Sequence, residues 1–434
     1  MSQLVFLTFF LGLVSGRQTV ALNAGPSIRS VSIVLDGQQV ASLSDSPFQT
    51  TIDLGPRLAP RDLVAIGFDA TGHEVARASQ ILNVPHPAAE ATILIANENG
   101  KPAAEVRWMH KDHEQPSVVL LTVDDSPLPL DKANRATLPQ LDPAAPHVIE
   151  AEVRFPSGDV ARHALTVSGD VYSGSIDSEL TAIVVRGSAP QEPTGSCFSS
   201  GGRDLRVSAV EKSRAVVILV KDPDSMPVMR AFARDFQGPA WPQSPTARTF
   251  ALLDENTSIN ILWPAMEIRK REDNPTIEVY PATHEIDTKR MGVLSTLTLQ
   301  NRLIPHSAPR TYAGAVAVAG LMAAEQGTRR AVVLLLESKQ KDESTRQPPV
   351  VRDYLRSIGV PLHVWSLGPA TKEQRAAWGE IENVETPPQL LAAVSRLRRD
   401  LFEQSVVWLA TDAWHALHAS VNAACNVRTV ADDH

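Results

Sequence analysis

The densest grouping of potential ligands in this sequence is His110, Asp112, His113 and Glu114, in the stretch RWMHKDHEQP. Two imidazoles and two carboxylates this close could hold a transition metal, and through it a hydrolytic activity. The same stretch is polar and runs into a Pro, which equally fits a solvated connection between strands. Thr283-His284-Glu285 begins like a zinc-protease helix motif, but residue 288 is Thr where the second His belongs. No G-x-S-x-G elbow, phosphate-binding Walker loop or G-x-G-x-x-G turn occurs. His415 and His418 fall three apart on an expected strand and so face opposite sides. Arg396, Arg398 and Arg399 lie along an expected helix whose Leu397 and Leu401 turn inward, which reads as a wet face. Asn256-Thr257-Ser258 spells a glycosylation triplet. An enzyme reading therefore rests on the His110 grouping alone.

Composition narrows the classes further. A chain of 434 residues, 43% hydrophobic and 21% charged, should fold into two or three domains. A net charge of -8 argues against a nucleic-acid partner, because phosphate contacts need a clustered basic surface. Two cysteines, Cys197 and Cys425, allow one bridge and exclude a four-cysteine zinc site; whether they pair is a matter of geometry. Residues Leu4 to Val14 (LVFLTFFLGLV) form an apolar run too short to span a bilayer and suited to the core of an export signal. A cut ahead of Arg17 would make residues 1–16 that signal. No Lys or Arg precedes the run, so an anchor, or a buried strand or helix of the first domain, are alternatives. No other stretch reaches a spanning length, and the expected mature chain has no membrane span.

The elements that would position any site change character midway. From Ser30, short alternating runs (SIVLDGQQV, FQTTIDLG, DLVAIGFD, EVARASQILNV) are separated by turn residues, including the Asp36-Gly37 hairpin signal and Thr71-Gly72. The plan repeats in VLLTVDDSPL, RATLPQLD, HVIEAEVRFP and DVARHALTV, with a turn at Ser157-Gly158. Asp36 to Asp53 and Asp125 to Asp142 are both 17 apart, and EVARAS matches DVARHA. Two tandem immunoglobulin-like β-sandwiches, residues 25–85 and 86–187, are the economical reading. The Gly-, Ser- and Pro-rich residues 188–204 read as a linker. Beyond them Arg214 to Val220 and Ala331 to Leu336 are continuous apolar runs, as in parallel strands buried on both faces. TFALLDENTSINILW reads as two strands around a turn, and Val360 to Leu367 as another strand. Helices are expected over Pro227 to Phe236, Thr311 to Gln326, Pro349 to Ser357 and Pro387 to Leu401. Close alternation of strand and helix predicts a doubly wound α/β domain over 205–434, ending in a hairpin.

Five stretches in order, VVILVKDPDSM, RTYAGAVAVAGLMA, AVVLLLES, GVPLHVWSLG and LRRDLFEQSVVWL, give this half a specific likeness. It resembles the von Willebrand factor type A fold, and the whole chain resembles acidobacterial proteins in which such a domain follows immunoglobulin-like modules. The resemblance implies a divalent-cation site, a MIDAS, at the carboxyl ends of the strands, built from D-x-S-x-S on one loop, a Thr on a second and an Asp on a third. Mg²⁺ or Mn²⁺ would take such hard oxygen donors. Aligned without a gap, this chain puts Lys221 at the Asp position, Pro223 and Ser225 at the two Ser positions, Thr311 on the Thr and Glu337 on the third-loop Asp. One reading is a degenerate, metal-free face in which Lys221 stands in for the cation and pairs with Glu337 near Ser225 and Thr311. Another leaves Lys221 in solvent. A third shifts the loop by one residue so that Asp222, Asp224, Ser225 and Thr311 bind Mg²⁺ or Mn²⁺.

The expectation is an exported, periplasmic or extracellular, non-enzymatic protein without a cofactor. Its two sandwiches would present a degenerate type A domain to another protein or a cell-envelope component, in adhesion or assembly. The long insertion Glu267 to Pro309, with its charged run from Arg269 to Asp273, is where specificity would lie, or else a tolerated surface excursion.

Overall fold

The structure is a computed structural model. It describes residues 4–430 apart from 11, 45, 87, 99–100, 111–113, 125, 140, 142–146, 169–170, 174–179, 188–196, 213, 224–252, 254–255, 266, 272–273, 285, 288–295, 298, 326, 338–340, 412, 423–424 and 426. The chain divides into two units, residues 1–178 and 179–434.

The first unit holds two β-sandwiches. The first contains β1 (Leu4–Phe6), β2 (Arg17–Ala24), β3 (Ser30–Leu35), β4 (Gln38–Leu43), β5 (Gln49–Asp53), β6 (Arg61–Phe68) and β7 (Glu74–Leu82). Its antiparallel sheets run β1-β2-β5 and β4-β3-β6-β7. Alternation decides which side chains meet between them: Val20, Leu22 and Ile52 from one sheet pack with Ile33, Leu63 and Ala65 from the other. The apolar run at the N-terminus is part of this core. Strand β1 pairs with β2, and Leu4, Phe6 and Phe10 are buried. Residues expected as the core of an export signal thus pack within this sandwich, which extends to the N-terminal side of residue 25.

The second sandwich contains β8 (Ala89–Glu98), β9 (Lys101–His110), β10 (Val118–Val123), β11 (Ser126–Pro127), β12 (Arg135–Thr137), β13 (His147–Arg154), β14 (Val160–Ser168) and β15 (Val171–Ser173). Its sheets run β12-β9-β8 and β11-β10-β13-β14-β15. One turn feature recurs in both sandwiches. Asp36, at positive φ in the β3–β4 turn, accepts from Asp62 N at 2.9 Å and pairs with Arg61. Asp124 does the same after β10: it has positive φ, accepts from Val148 N at 2.9 Å and binds His147, while Asp125 and Asp142 lie outside the described residues. An aspartate tolerates the left-handed backbone there and ties the hairpin tip to the neighbouring strand.

The second unit begins with β16 (Leu180–Gly187), which therefore does not close the second sandwich as expected. After it come β17 (Phe198–Ser200), β18 (Arg203–Asp204), β19 (Val207–Glu211), β20 (Ala215–Val220), β21 (Thr257–Leu262), β22 (Glu267–Arg271), β23 (Asn274–Val279), β24 (Ile286–Asp287) and helix α1 (Tyr312–Ala324). Then follow β25 (Arg329–Glu337), α2 (Pro348–Ser357), β26 (Leu362–Leu367), α3 (Lys372–Trp378), β27 (Glu382–Asn383), α4 (Pro387–Glu403), β28 (Gln404–Ala410), α5 (Ala413–Leu417), β29 (Ser420–Val421) and β30 (Val427–Thr429). The expected helix over 227–236, and most of the first strand of the TFALLDENTSINILW pair, lie outside the described residues.

The central sheet runs β24-β21-β20-β25-β26-β27, parallel except for the short edge strand β24. All six residues of β20 are buried, which is why its sequence shows no alternation. Val217, Leu219, Val333 and Trp365 pack with Leu390, Val394, Leu397 and Leu401 of α4. Helix α1 lies on β20 and β25 and against α2. Its small residues let it approach: a Cβ on Gly320 would meet Leu355 Cδ1 at 2.8 Å. Arg330 ties the far ends of these helices together, donating to Ala324 O at 3.0 Å and Gly359 O at 3.2 Å. Complete burial pushes its pKa down to about 10, so the guanidinium stays charged and satisfied by carbonyls at two helix C-termini.

The two chain segments flanking this sheet fold onto each other. Strands β19-β28-β16-β30 form one antiparallel sheet and β18-β17-β29 a smaller one, around Ile183, Val185, Phe198, Val207, Val407 and Leu409. Cys197 and Cys425 form a disulfide within this core, with Cα atoms 5.8 Å apart. Residues 198–204, expected as linker, thus form the short hairpin β17–β18, and the expected closing hairpin is instead a strand, the short helix α5 and two further strands. Among the described residues no helix is long and apolar enough to cross a membrane.

Candidate functional site

In a sheet ordered β21-β20-β25-β26-β27 the chain leaves β20 in one direction and reaches β25 in the other. The crevice at their carboxyl ends is the topological switch point where doubly wound folds bind ligands. Lys221 and Asp222 follow β20, Glu337 ends β25, and Thr311 is the residue before α1. The sheet therefore gathers all four of these sequence-predicted residues at one end. Asp224 and Ser225 lie outside the described residues.

Lys221 does not point to solvent: it is 1% exposed. Its ammonium donates to the Leu299 carbonyl and stands 5.0 Å from the centroid of the Trp263 ring. Both contacts favour a cation in a place where desolvation opposes one. Asp222 accepts from Arg310 Nε at 2.8 Å and from the Tyr312 hydroxyl at 3.0 Å. Both members of this ion pair are mostly buried, at 17% and 14% exposure. Arg310 also donates to Ala308 O at 2.7 Å. Burial first, then the Asp222 charge and hydrogen bond and the more distant Glu337 charge, push the Tyr312 pKa far above the usual phenol value. The phenol is therefore a permanent donor to Asp222.

The insertion supplies the closure. Besides Leu299 O, it contributes Asn301 N, which donates to Pro223 O at 3.1 Å. Arg310 is tied by its own backbone as well, Glu343 N donating to Arg310 O at 2.7 Å. Residues 299–310 thus lie across the end of β20. Beside them Pro223, Asn301, Arg302, Ile304 and His306 line a cleft of about 440 Å³. Leu303, at 92% exposure, is the most exposed of the large hydrophobic side chains described.

Thr311 is held by contacts of its own. Its hydroxyl hydrogen-bonds the Tyr280 hydroxyl at 3.1 Å, and its N–H donates to Pro264 O. The first N–H groups of α1 are taken by another loop. Ala313 N donates to Asp342 Oδ2 at 3.0 Å and Gly314 N to Ser344 Oγ at 3.1 Å. A carboxylate at a helix N-terminus satisfies both orphan donors and the dipole. Sequence reasoning missed Arg310, Tyr312, Asp342 and Ser344. The first two flank Thr311 in the RTYAG stretch, and Asp342-x-Ser344 repeats the D-x-S pattern one loop further on, so the signals were present but not readable as contacts.

Glu337 places its backbone carbonyl on Gln374 Nε2 at 3.0 Å, anchoring α3. Among the described residues no three or more His, Cys, Asp or Glu side chains gather as a metal site would need.

The His110 grouping is described in part. His110 is buried against Phe155, with its Nε2 3.0 Å from Asp159 Oδ2. Glu114 accepts from Ser157 N at 3.1 Å. Both thus fasten the β13–β14 turn; Asp112 and His113 lie outside the described residues. Thr283 accepts from Ile261 N, a strand-edge contact rather than the start of a helix motif. His415 lies on α5, not on a strand, and His418 just after it stacks on Trp414. Arg396 pairs with Glu382, while Leu397 and Leu401 are buried as expected.

No family model and no curated protein matches the chain. Solved structures similar to parts of it include fibronectin(III)-like modules of CbhA from Clostridium thermocellum, at 14% identity and TM-score 0.17, covering 18% of this chain and 93% of that one. Another is the ArnB paralog VWA2 from Sulfolobus acidocaldarius, at 13% identity and TM-score 0.23, covering 63% of this chain and 53% of that one. A third is proximal thread matrix protein 1 from the mussel byssus, at 13% identity and TM-score 0.27, covering 51% of this chain and 50% of that one. The chain thus spans about half the length of the last two. Likeness at this level leaves the fold to the coordinates and the function to the site: β-sandwiches followed by an α/β domain with a mostly parallel sheet.

Proposed function

We propose that this chain is a non-enzymatic binding protein whose von Willebrand type A-like domain carries a degenerate, metal-free MIDAS. In this reading it engages a protein or cell-envelope component through the face made by residues 299–310. The observation that carries the reading is the Asp222 carboxylate, which already answers the Arg310 guanidinium and the Tyr312 hydroxyl. A divalent cation there would have to displace both and then sit beside the buried Lys221 ammonium, at a high electrostatic cost. The described donors therefore do not fit Mg²⁺ or Mn²⁺. Leu303, held out by an anchored segment, supplies an apolar contact of the kind that partner surfaces use. Export to a periplasmic or extracellular setting is supported by the Cys197–Cys425 disulfide, since such bonds persist in oxidising compartments.

Calorimetric titration of the purified chain with Mg²⁺ and Mn²⁺ tests the site. Silence up to about 1 mM, far above typical sensor affinities, is expected, and tight binding would overturn the metal-free reading. Capture from cell envelope by the full chain, compared with Leu303→Asp, tests the face. A partner retained equally by both proteins would place binding elsewhere.

A further inference from the structure

We infer that the opposite end of the central sheet carries a second site, for hydrogen phosphate. At the amino ends of β26 and β27 lies a cleft of about 400 Å³, room for a phosphate and a small attached group. Its walls come from α2, α3, α4 and β16, and include Arg352, Arg399, His363, Trp378, Asp400 and Arg186.

A relay fixes the histidine. Arg186 Nη2 lies 2.5 Å from Asp400 Oδ1, and His363 Nε2 lies 2.9 Å from Asp400 Oδ2. Burial works to raise the Asp400 pKa, but the His363 hydrogen bond and the Arg186 charge outweigh it and hold the carboxyl below its usual range. An ionised Asp400 makes His363 Nε2 the N–H donor, which leaves a lone pair on Nδ1 in the neutral ring. Among the described residues Nδ1 has no partner. It is an acceptor on a residue that lines an arginine-bearing cleft.

Arg352 and Arg399 supply the donors. Arg186 and Arg396 are engaged by Asp400 and Glu382, and Arg356 by Asp353. By contrast, among the described residues neither Arg352 nor Arg399 makes an ion pair or side-chain hydrogen bond. Arg352 is also positioned: it is half-buried and lies over Gly379, where a Cβ would meet Nη2 at 2.8 Å and the backbone has φ +81. Two acids at the rim, Glu380 and Glu403, are exposed, so solvent screens them more than it screens Arg352.

Phosphate matches this set and sulfate does not. Guanidinium groups bind tetrahedral oxyanions through paired N–H donors, which either anion satisfies. Only the protonated phosphate has an O–H to give to the His363 Nδ1 lone pair. Sulfate presents an acceptor to an acceptor, and an unmade buried hydrogen bond is costly.

Calorimetry on the full chain at pH 7.5 tests this, with inorganic phosphate, sulfate and glycerol phosphate as probes. Phosphate is expected to bind at least about tenfold more tightly than sulfate, and Arg352→Gln to weaken it by about tenfold or more. Arg398→Gln, on the same helix as Arg399 but outside the cleft, should leave affinity unchanged. Glycerol phosphate, a dianion without a phosphate O–H at this pH, is expected to bind more weakly than phosphate, and tighter binding would overturn the hydrogen-bond argument. No phosphate binding up to about 10 mM, sulfate binding equally well, or equal losses in Arg352→Gln and Arg398→Gln would overturn the proposal. Arg352 has no partner to lose among the described residues, so its variant should fold, and circular dichroism confirms that it has.

Discussion

If Arg310 is the clasp that holds residues 299–310 over the end of β20, then Arg310→Met should loosen that segment while leaving the central sheet folded. The substitution keeps most of the side-chain stem and removes the guanidinium that pairs with Asp222 at 2.8 Å and bonds Ala308 O. Exposed pairs are worth little, but here both side chains are more than four-fifths covered. Hydrogen bonds to charged groups contribute about 1.5–3 kcal/mol, and stranding a fully buried partner costs about 3–5 kcal/mol. A local loss of about 2–3 kcal/mol is the reasonable middle for a pair that retains some solvent. Native-state hydrogen exchange reads it directly, because the amides of Asn301, Ile304 and Ala308 donate to Pro223, Asn301 and Pro305 carbonyls. Their opening population should rise by about 30- to 150-fold, whereas Val217 and Val333 in the sheet should change little. Adding Asp222→Asn to the variant should cost little more, because the interaction is already gone. Arg302→Gln, an exposed position on the same segment, serves as the control. Protection at Asn301 and Ala308 unchanged within about threefold would refute the clasp, and with it the closure argument for the site.

Three further outcomes follow from particular contacts. Cys197→Ala with Cys425→Ala opens a loop of 228 residues, for which the chain-entropy model gives about 5 kcal/mol; a loss of about 3–5 kcal/mol in urea unfolding is expected, and one under about 1 kcal/mol would reject the model. Asp400→Asn should destabilise the protein at pH 7. The folded pKa of Asp400 lies below the usual 3.8, so its contribution is present above that value and fades as pH falls through the folded pKa. A wild-type advantage as large at pH 3 as at pH 7 would contradict that sign. Gly314→Ala gains about 1 kcal/mol of helix propensity, yet its Cβ would lie 2.2 Å from the Tyr280 hydroxyl that bonds Thr311. A net loss of about 1–3 kcal/mol by thermal unfolding is expected, and a stabilised variant would show that Tyr280 moves freely.

What the sequence determined by itself is what short stretches of chain determine. The unbroken apolar runs of β20 and β25 announced strands buried on both faces, and the periodicity of α4 placed Leu397 and Leu401 inward. Turn chemistry at Asp36-Gly37 and Ser157-Gly158 announced the repeated hairpins, because an αL backbone selects its residues locally. Order along the chain also sufficed to gather Lys221, Asp222, Thr311 and Glu337 at one end of the sheet, since parallel strands put all their carboxyl ends on one side.

What only the tertiary structure decided depends on contacts between distant segments. Nothing local shows that the apolar N-terminal run pairs as β1, or that the Gly- and Ser-rich stretch around Cys197 forms strands. Their pairing depends on β2 beside one and on β29 and Cys425 beside the other. The same holds at the site. A lysine at a strand end is exposed or buried according to whether a carbonyl from residue 299 arrives to meet it. A carboxylate such as Asp222 is a metal ligand or an anchor according to whether an arginine 88 residues away reaches it first. The chemistry of an ionisable group is set by the charges and dipoles within a few ångströms, and in a doubly wound fold those come from elsewhere in the chain.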